Sequence, residues 1–110
     1  MMNETKFHAI ADATLMHLFD QLEDAFESGD FEELDFEEDG VLKIETNAGK
    51  IFIISKHSPS CQLWLASPIS GGLHYSYNES EELWQLADGS TLKQRLMEEL
   101  EQTANVRVIL

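Results

Sequence analysis

Val41-Leu42-Lys43-Ile44-Glu45-Thr46-Asn47-Ala48-Gly49-Lys50-Ile51-Phe52-Ile53-Ile54-Ser55 decides the fold. Two runs rich in β-branched and aromatic residues flank the turn residues Asn47-Ala48-Gly49, the pattern of an antiparallel hairpin. The same texture extends on both sides. Strands are expected over Leu34–Glu38, Val41–Thr46, Lys50–Ser55, Gln62–Ala66 and Leu73–Tyr77, with a short one near Leu83–Leu86. Asp39-Gly40, His57-Ser58-Pro59-Ser60, Pro68 through Gly72 and Asn78-Glu79-Ser80 carry the residues that tight reversals require. Loops this short make neighbouring strands pair in order.

Outside this meander the period changes. Phe7, Ile10, Ala11, Leu15, Leu18, Leu22, Ala25 and Phe26 recur at three- and four-residue steps, which predicts a long helix from about Thr5 to Glu27. Ser28-Gly29 stops it. Asp88-Gly89-Ser90 leads into Leu92, Leu96, Met97 and Leu100, a second helix to about Thr103 with Ser90 or Thr91 as N-cap. Val106 to Leu110 is too apolar for a free tail and is expected to dock along the helix layer. Neither an internal repeat nor a linker interrupts the chain, so one domain over residues 1–110 is expected.

Helix, run of strands, helix predicts an α+β fold: a two-layer α-β sandwich, two helices packed on one face of an antiparallel sheet and the other face open to solvent. If Leu63 and Leu65 face the helices, Gln62, Trp64 and Ala66 face outward. An outward tryptophan on such a face is a candidate hot spot for a partner.

Charge narrows the function. The chain has 110 residues, 21 Asp+Glu against 7 Lys+Arg, and a formal net charge of −14. No basic run is present to meet a phosphate backbone, so neither nucleic acid nor an anionic membrane is an expected partner. No apolar stretch approaches the roughly 18 residues of a membrane span, and the opening residues have no secretory h-region. A cytoplasmic protein is expected. Positive partners, cations or basic protein surfaces, would relieve the self-repulsion.

The acids are concentrated. Eleven carboxylates fall between Asp20 and Asp39, and no Lys or Arg occurs from Phe7 through Leu42. Asp20, Glu23, Asp24 and Glu27 are spaced i, i+3, i+4 and i+7, which places them on one helix face where like charges repel. Oxygen-rich clusters attract hard cations, leaving iron, manganese, calcium and magnesium open. On an exposed helix such a site is shallow, and weak binding with loose stoichiometry is expected. His8, a helical turn from Glu4 and Asp12, could add a nitrogen ligand, whereas His74 reads as structural. Cys61 has no second cysteine and reads as a small, half-buried apolar residue. No nucleophile with a base, GxSxG or phosphate loop is visible, and the chain is not expected to be an enzyme.

The acidic helix opening Phe7-His8, the acidic first strand, Gln62-Leu63-Trp64-Leu65-Ala66, Ser70-Gly71-Gly72-Leu73-His74-Tyr75, Trp84 and the closing helix resemble the frataxin family in its bacterial form. Frataxins carry an α-β(5-6)-α sandwich. The resemblance implies a protein of iron–sulfur cluster assembly that binds iron (Fe²⁺ or Fe³⁺) weakly, with other hard divalent or trivalent cations able to take the same sites. It implies docking on cysteine desulfurase near the iron–sulfur scaffold protein, with Asp20, Glu23, Asp24, Glu27 and Trp64 as the docking residues. Carried over residue by residue, the metal-binding ridge is Asp20, Glu23, Asp24, Glu27, Asp30, Glu33 and Asp35. Phe19 stands where bacterial relatives often carry an acid.

A regulatory adaptor that docks on the desulfurase is the leading expectation. An iron chaperone donating Fe²⁺ to the scaffold, or a ferroxidase, is the alternative. A monomer is expected, with iron-dependent oligomerisation left open.

Overall fold

A computed structural model describes residues 2–110. The chain runs α1 (Glu4–Glu27), β1 (Phe31–Glu37), β2 (Val41–Thr46), β3 (Ile51–His57), a 3-10 turn (Ser58–Ser60), β4 (Gln62–Ser67), β5 (Gly71–Asn78), β6 (Leu83–Gln85) and α2 (Leu92–Ala104). The six strands form one antiparallel sheet in sequence order. No described helix is long and apolar enough to cross a membrane.

The expected elements are all present, with strand ends moved. β1 begins at Phe31 rather than Leu34, because a register irregularity between Phe31 and Glu33 breaks the alternation that a sequence reader follows. β3 runs two residues further, to His57, and β5 starts at Gly71. Local chemistry sets the helix ends. Asn3 accepts from the Lys6 amide (2.8 Å) at the start of α1, and Thr91 accepts from the Gln94 amide (3.2 Å) at the start of α2.

The helical stripe and the inward strand positions meet in one core. Phe7, Ala11, Leu15, Leu18 and Leu22 of α1 and Leu92, Leu96 and Leu100 of α2 are buried with Leu42, Ile44, Phe52, Ile54, Leu63, Leu65 and Tyr75. Trp84 closes one end, edge-on to Phe7, and donates its indole N–H to Thr14 Oγ1 at 2.9 Å. The tail docks as expected: Val106 is buried, Val108 and Leu110 are half-buried, and His17 bonds the Leu110 carbonyl (2.9 Å).

Two polar knots hold the layers in register. Lys56 passes over Gly40 to reach Asp12 (2.7 Å) and His8 Nδ1 (3.1 Å), tying β3 to α1. Gly40 has φ +88°, and a Cβ there would lie 2.1 Å from Lys56 Cε, so this crossing requires glycine on both counts. The second knot is Glu99 of α2, only 4% exposed, which accepts from the Ser67 and Ser70 hydroxyls and pairs with Arg95 at 3.7 Å. Ser67 in turn accepts the Ile69 and Ser70 amides, so one buried carboxylate pins the β4–β5 turn to the helix layer. The neighbouring Tyr75 hydroxyl is buried without a partner of hydrogen-bond geometry, and burial pushes its ionisation up while Arg95 beside it acts the other way.

Candidate functional site

The α1 carboxylates stand where the spacing predicts. Asp20, Glu23, Asp24 and Glu27 are all exposed, away from the Leu15, Leu18 and Leu22 stripe. Among the described residues none of the four has a basic partner within ion-pair distance. The face is therefore an uncompensated block of negative charge.

The remaining ridge residues fall elsewhere. Asp30 is exposed in the α1–β1 turn, which Asn47 braces by donating to the Gly29 carbonyl at 2.8 Å. In β1 Leu34 pairs with buried Ile44, and Phe36 with buried Leu42, so these two face the helices. Glu33, Asp35 and Glu37 must then point to the open face of the sheet. Lys43 lies 3.4 Å from Glu33 and neutralises it in part. The helix acids and the strand acids thus flank the β1 edge on opposite sides.

Among the described residues no three His, Cys, Asp or Glu side chains come together closely enough to hold one ion. The donor chemistry, carboxylate oxygen, fits iron or another hard cation. The geometry supplies no cage, so an ion would keep much of its water. His8, the nitrogen candidate, offers its Nδ1 lone pair to Lys56.

Trp64 lies on the open face, as the alternation of β4 predicts, but it does not protrude. Its ring is sandwiched between His57 at 3.8 Å and His74 at 4.1 Å, both within 10° of parallel. His74 sits directly opposite Trp64 in the β4–β5 register, whereas His57 pairs opposite Gln62 and leans over the indole diagonally. The indole N–H donates to Gln62 Oε1 at 3.0 Å, and Gln62 Nε2 donates to Ser76 Oγ at 3.1 Å. Ile51 and Ile53, 40% and 36% exposed, continue this face towards β2, where Glu45 and Lys43 are their partners. The open face is thus a flat aromatic and aliphatic platform whose β1 border is acidic.

An apolar groove of about 490 Å³, lined by Ile10, Ala13, Tyr77, Leu83 and Leu92, lies on the helix side. In its wall Thr14 donates to the Ile10 carbonyl and accepts from Trp84, and His17 is bonded to Leu110. Cys61 is half-buried, its Sγ towards the carbonyls of Ser58 and Met2 (3.7 and 3.9 Å).

Residues 1–106 match the model of the frataxin-like domain. The iron-sulfur cluster assembly protein CyaY of Pseudomonas aeruginosa is 43% identical over 90 residues, covering 81% of this chain and 77% of its own. The mitochondrial frataxin homolog of Schizosaccharomyces pombe is 32% identical over 84 residues, covering 76% of this chain and 53% of its own. Among solved structures, frataxin from Psychromonas ingrahamii superposes with a TM-score of 0.78 at 27% identity over 97% of this chain and 96% of its own. Trimeric yeast frataxin, in a ferrous complex, superposes with a TM-score of 0.75 at 32% identity over 88% of this chain and 87% of its own.

Proposed function

The chain belongs to the frataxin family, and from that premise we propose that it is an iron–sulfur cluster assembly protein acting as a binding module: it docks on cysteine desulfurase through the α1 carboxylates and Trp64, and holds iron weakly on the same ridge. The observation that carries this reading is the unpaired state of Asp20, Glu23, Asp24 and Glu27. Four adjacent carboxylates without a counter-charge cost the apo monomer repulsion that a basic partner surface removes on docking, and they steer that encounter at long range. Trp64, rigidly placed on the open face, supplies the short-range anchor.

A second reading, delivery of Fe²⁺ to the scaffold protein, draws support from the ferrous complex of the yeast relative. Ferroxidase chemistry would need a fixed ligand set around a redox pair, and the dispersed carboxylates argue for binding instead.

Trp64→Ala tests the docking reading. Loss of a central aromatic anchor is expected to weaken desulfurase affinity about tenfold or more, while Tm falls by only a few degrees, on the order of what loss of two aromatic contacts costs. Calorimetric titration and a thermal melt read the two effects. Unchanged affinity would contradict the docking role, and a collapse of Tm would make Trp64 a core residue instead.

A further inference from the structure

The hydrogen-bond order around Trp64 assigns the tautomer of the neutral His57 ring. An indole N–H can only donate, so the Gln62 amide atom 3.0 Å from Trp64 Nε1 is the oxygen. That oxygen also lies 3.0 Å from Ser60 Oγ, and only the serine hydroxyl can be the donor there. With its single proton directed to that oxygen rather than to the more distant His57 carbonyl at 3.4 Å, Ser60 Oγ accepts at its shortest contact, 2.7 Å from His57 Nδ1. His57 therefore carries its proton on Nδ1 when neutral. Its Nε2 keeps a lone pair, with no partner for it among the described residues.

Resting on the docking reading above, we propose that His57 determines specificity at that surface. It holds Trp64 in place by stacking at 3.8 Å, and it presents Nε2 as an acceptor for a cationic N–H donor, Lys or Arg, on the basic partner. The requirement for a cationic donor follows from charge: this chain's net −14 selects positive surfaces, and an acceptor beside a fixed aromatic platform is best met by a charge-assisted donor. Two functions are thus combined in one side chain. The ring face positions the anchor, and the ring edge reads the partner.

Three substitutions in the full chain separate them. His57→Phe keeps a flat ring on the indole but removes the acceptor, His57→Gln offers an amide donor to Ser60 and a carbonyl outward, and His57→Ala removes everything. A long-range ¹H–¹⁵N spectrum of the wild type, read on the neutral ring, is expected to place the His57 proton on Nδ1. Affinity for cysteine desulfurase is expected to fall about tenfold in His57→Phe and further in His57→Ala, and to stay within about threefold of wild type in His57→Gln. The Trp64 indole N–H signal should move in His57→Ala and hold its position in His57→Phe, so that affinity lost in His57→Phe, with the anchor still in place, reports the missing acceptor and not a displaced indole. A proton on Nε2, or wild-type affinity in His57→Phe, overturns the proposal while leaving the docking reading intact. Absence of binding by the wild type overturns both.

Discussion

Replacing the four helix carboxylates together, Asp20→Asn, Glu23→Gln, Asp24→Asn and Glu27→Gln, is expected to weaken desulfurase affinity by about tenfold or more at low ionic strength. The same variant should melt a few degrees higher, because four like-charge pairs at i,i+3 and i,i+4 disappear from one helix face. Opposite signs for binding and stability are the informative part: a residue set kept for folding would lose both. At an ionic strength near 1 M, where the screening length is about 3 Å, wild type and variant should converge in affinity. Titration calorimetry across salt and a thermal melt check these results. Equal affinity at low salt would remove the ridge from the interface.

Glu99→Ala carries the largest expected effect on stability, about 3 kcal/mol, or a fall in Tm on the order of 12 °C. The carboxylate is 4% exposed and serves the Ser67 hydroxyl, the Ser70 hydroxyl and Arg95 together. Alanine leaves two hydroxyls and a partly buried guanidinium without their acceptor, and it frees the β4–β5 turn from α2. Glu99→Gln retains one acceptor oxygen and should cost roughly a third as much. A consequence should reach the functional face, because that turn leads directly into Gly71 and Gly72 beside the Trp64–His74 pair. The Trp64 indole signal is therefore expected to broaden in Glu99→Ala. A melt unchanged from wild type would show that the turn is held by the hairpin alone.

These features divide by how far apart in sequence their causes lie. The layers, the strand order and the open face follow from periods of two and about 3.6 and from turn residues such as Asn47-Ala48-Gly49, all local signals. The α1 ridge was legible for the same reason: Asp20 to Glu27 share a face through helix geometry alone. The start of β1 was not, since the irregularity after Phe31 hides its alternation.

The other features that escaped the sequence are contacts between elements. His57 reads as a turn residue and His74 as a structural one, and only the paired registers of β3, β4 and β5 stack both on Trp64. Lys56 reaches His8 and Asp12 from 48 and 44 positions away, which removes His8 from the free nitrogen donors. Glu99 falls on the Leu92 and Leu96 stripe by its spacing, unlike Glu98 and Glu101, but the Ser67 and Ser70 hydroxyls that receive it lie about 30 positions away on the β4–β5 turn. Lys43, the first basic residue after the long acidic stretch, folds back on Glu33 through strand pairing.

Titration of the protein into its own organism's cysteine desulfurase, with chelator and again with anaerobic Fe²⁺, each at two salt concentrations, tests the central claim most directly. Binding that persists in chelator and weakens with salt is the predicted result, for an electrostatic adaptor whose iron is secondary. Binding that requires Fe²⁺ would contradict it and make the metal the cargo.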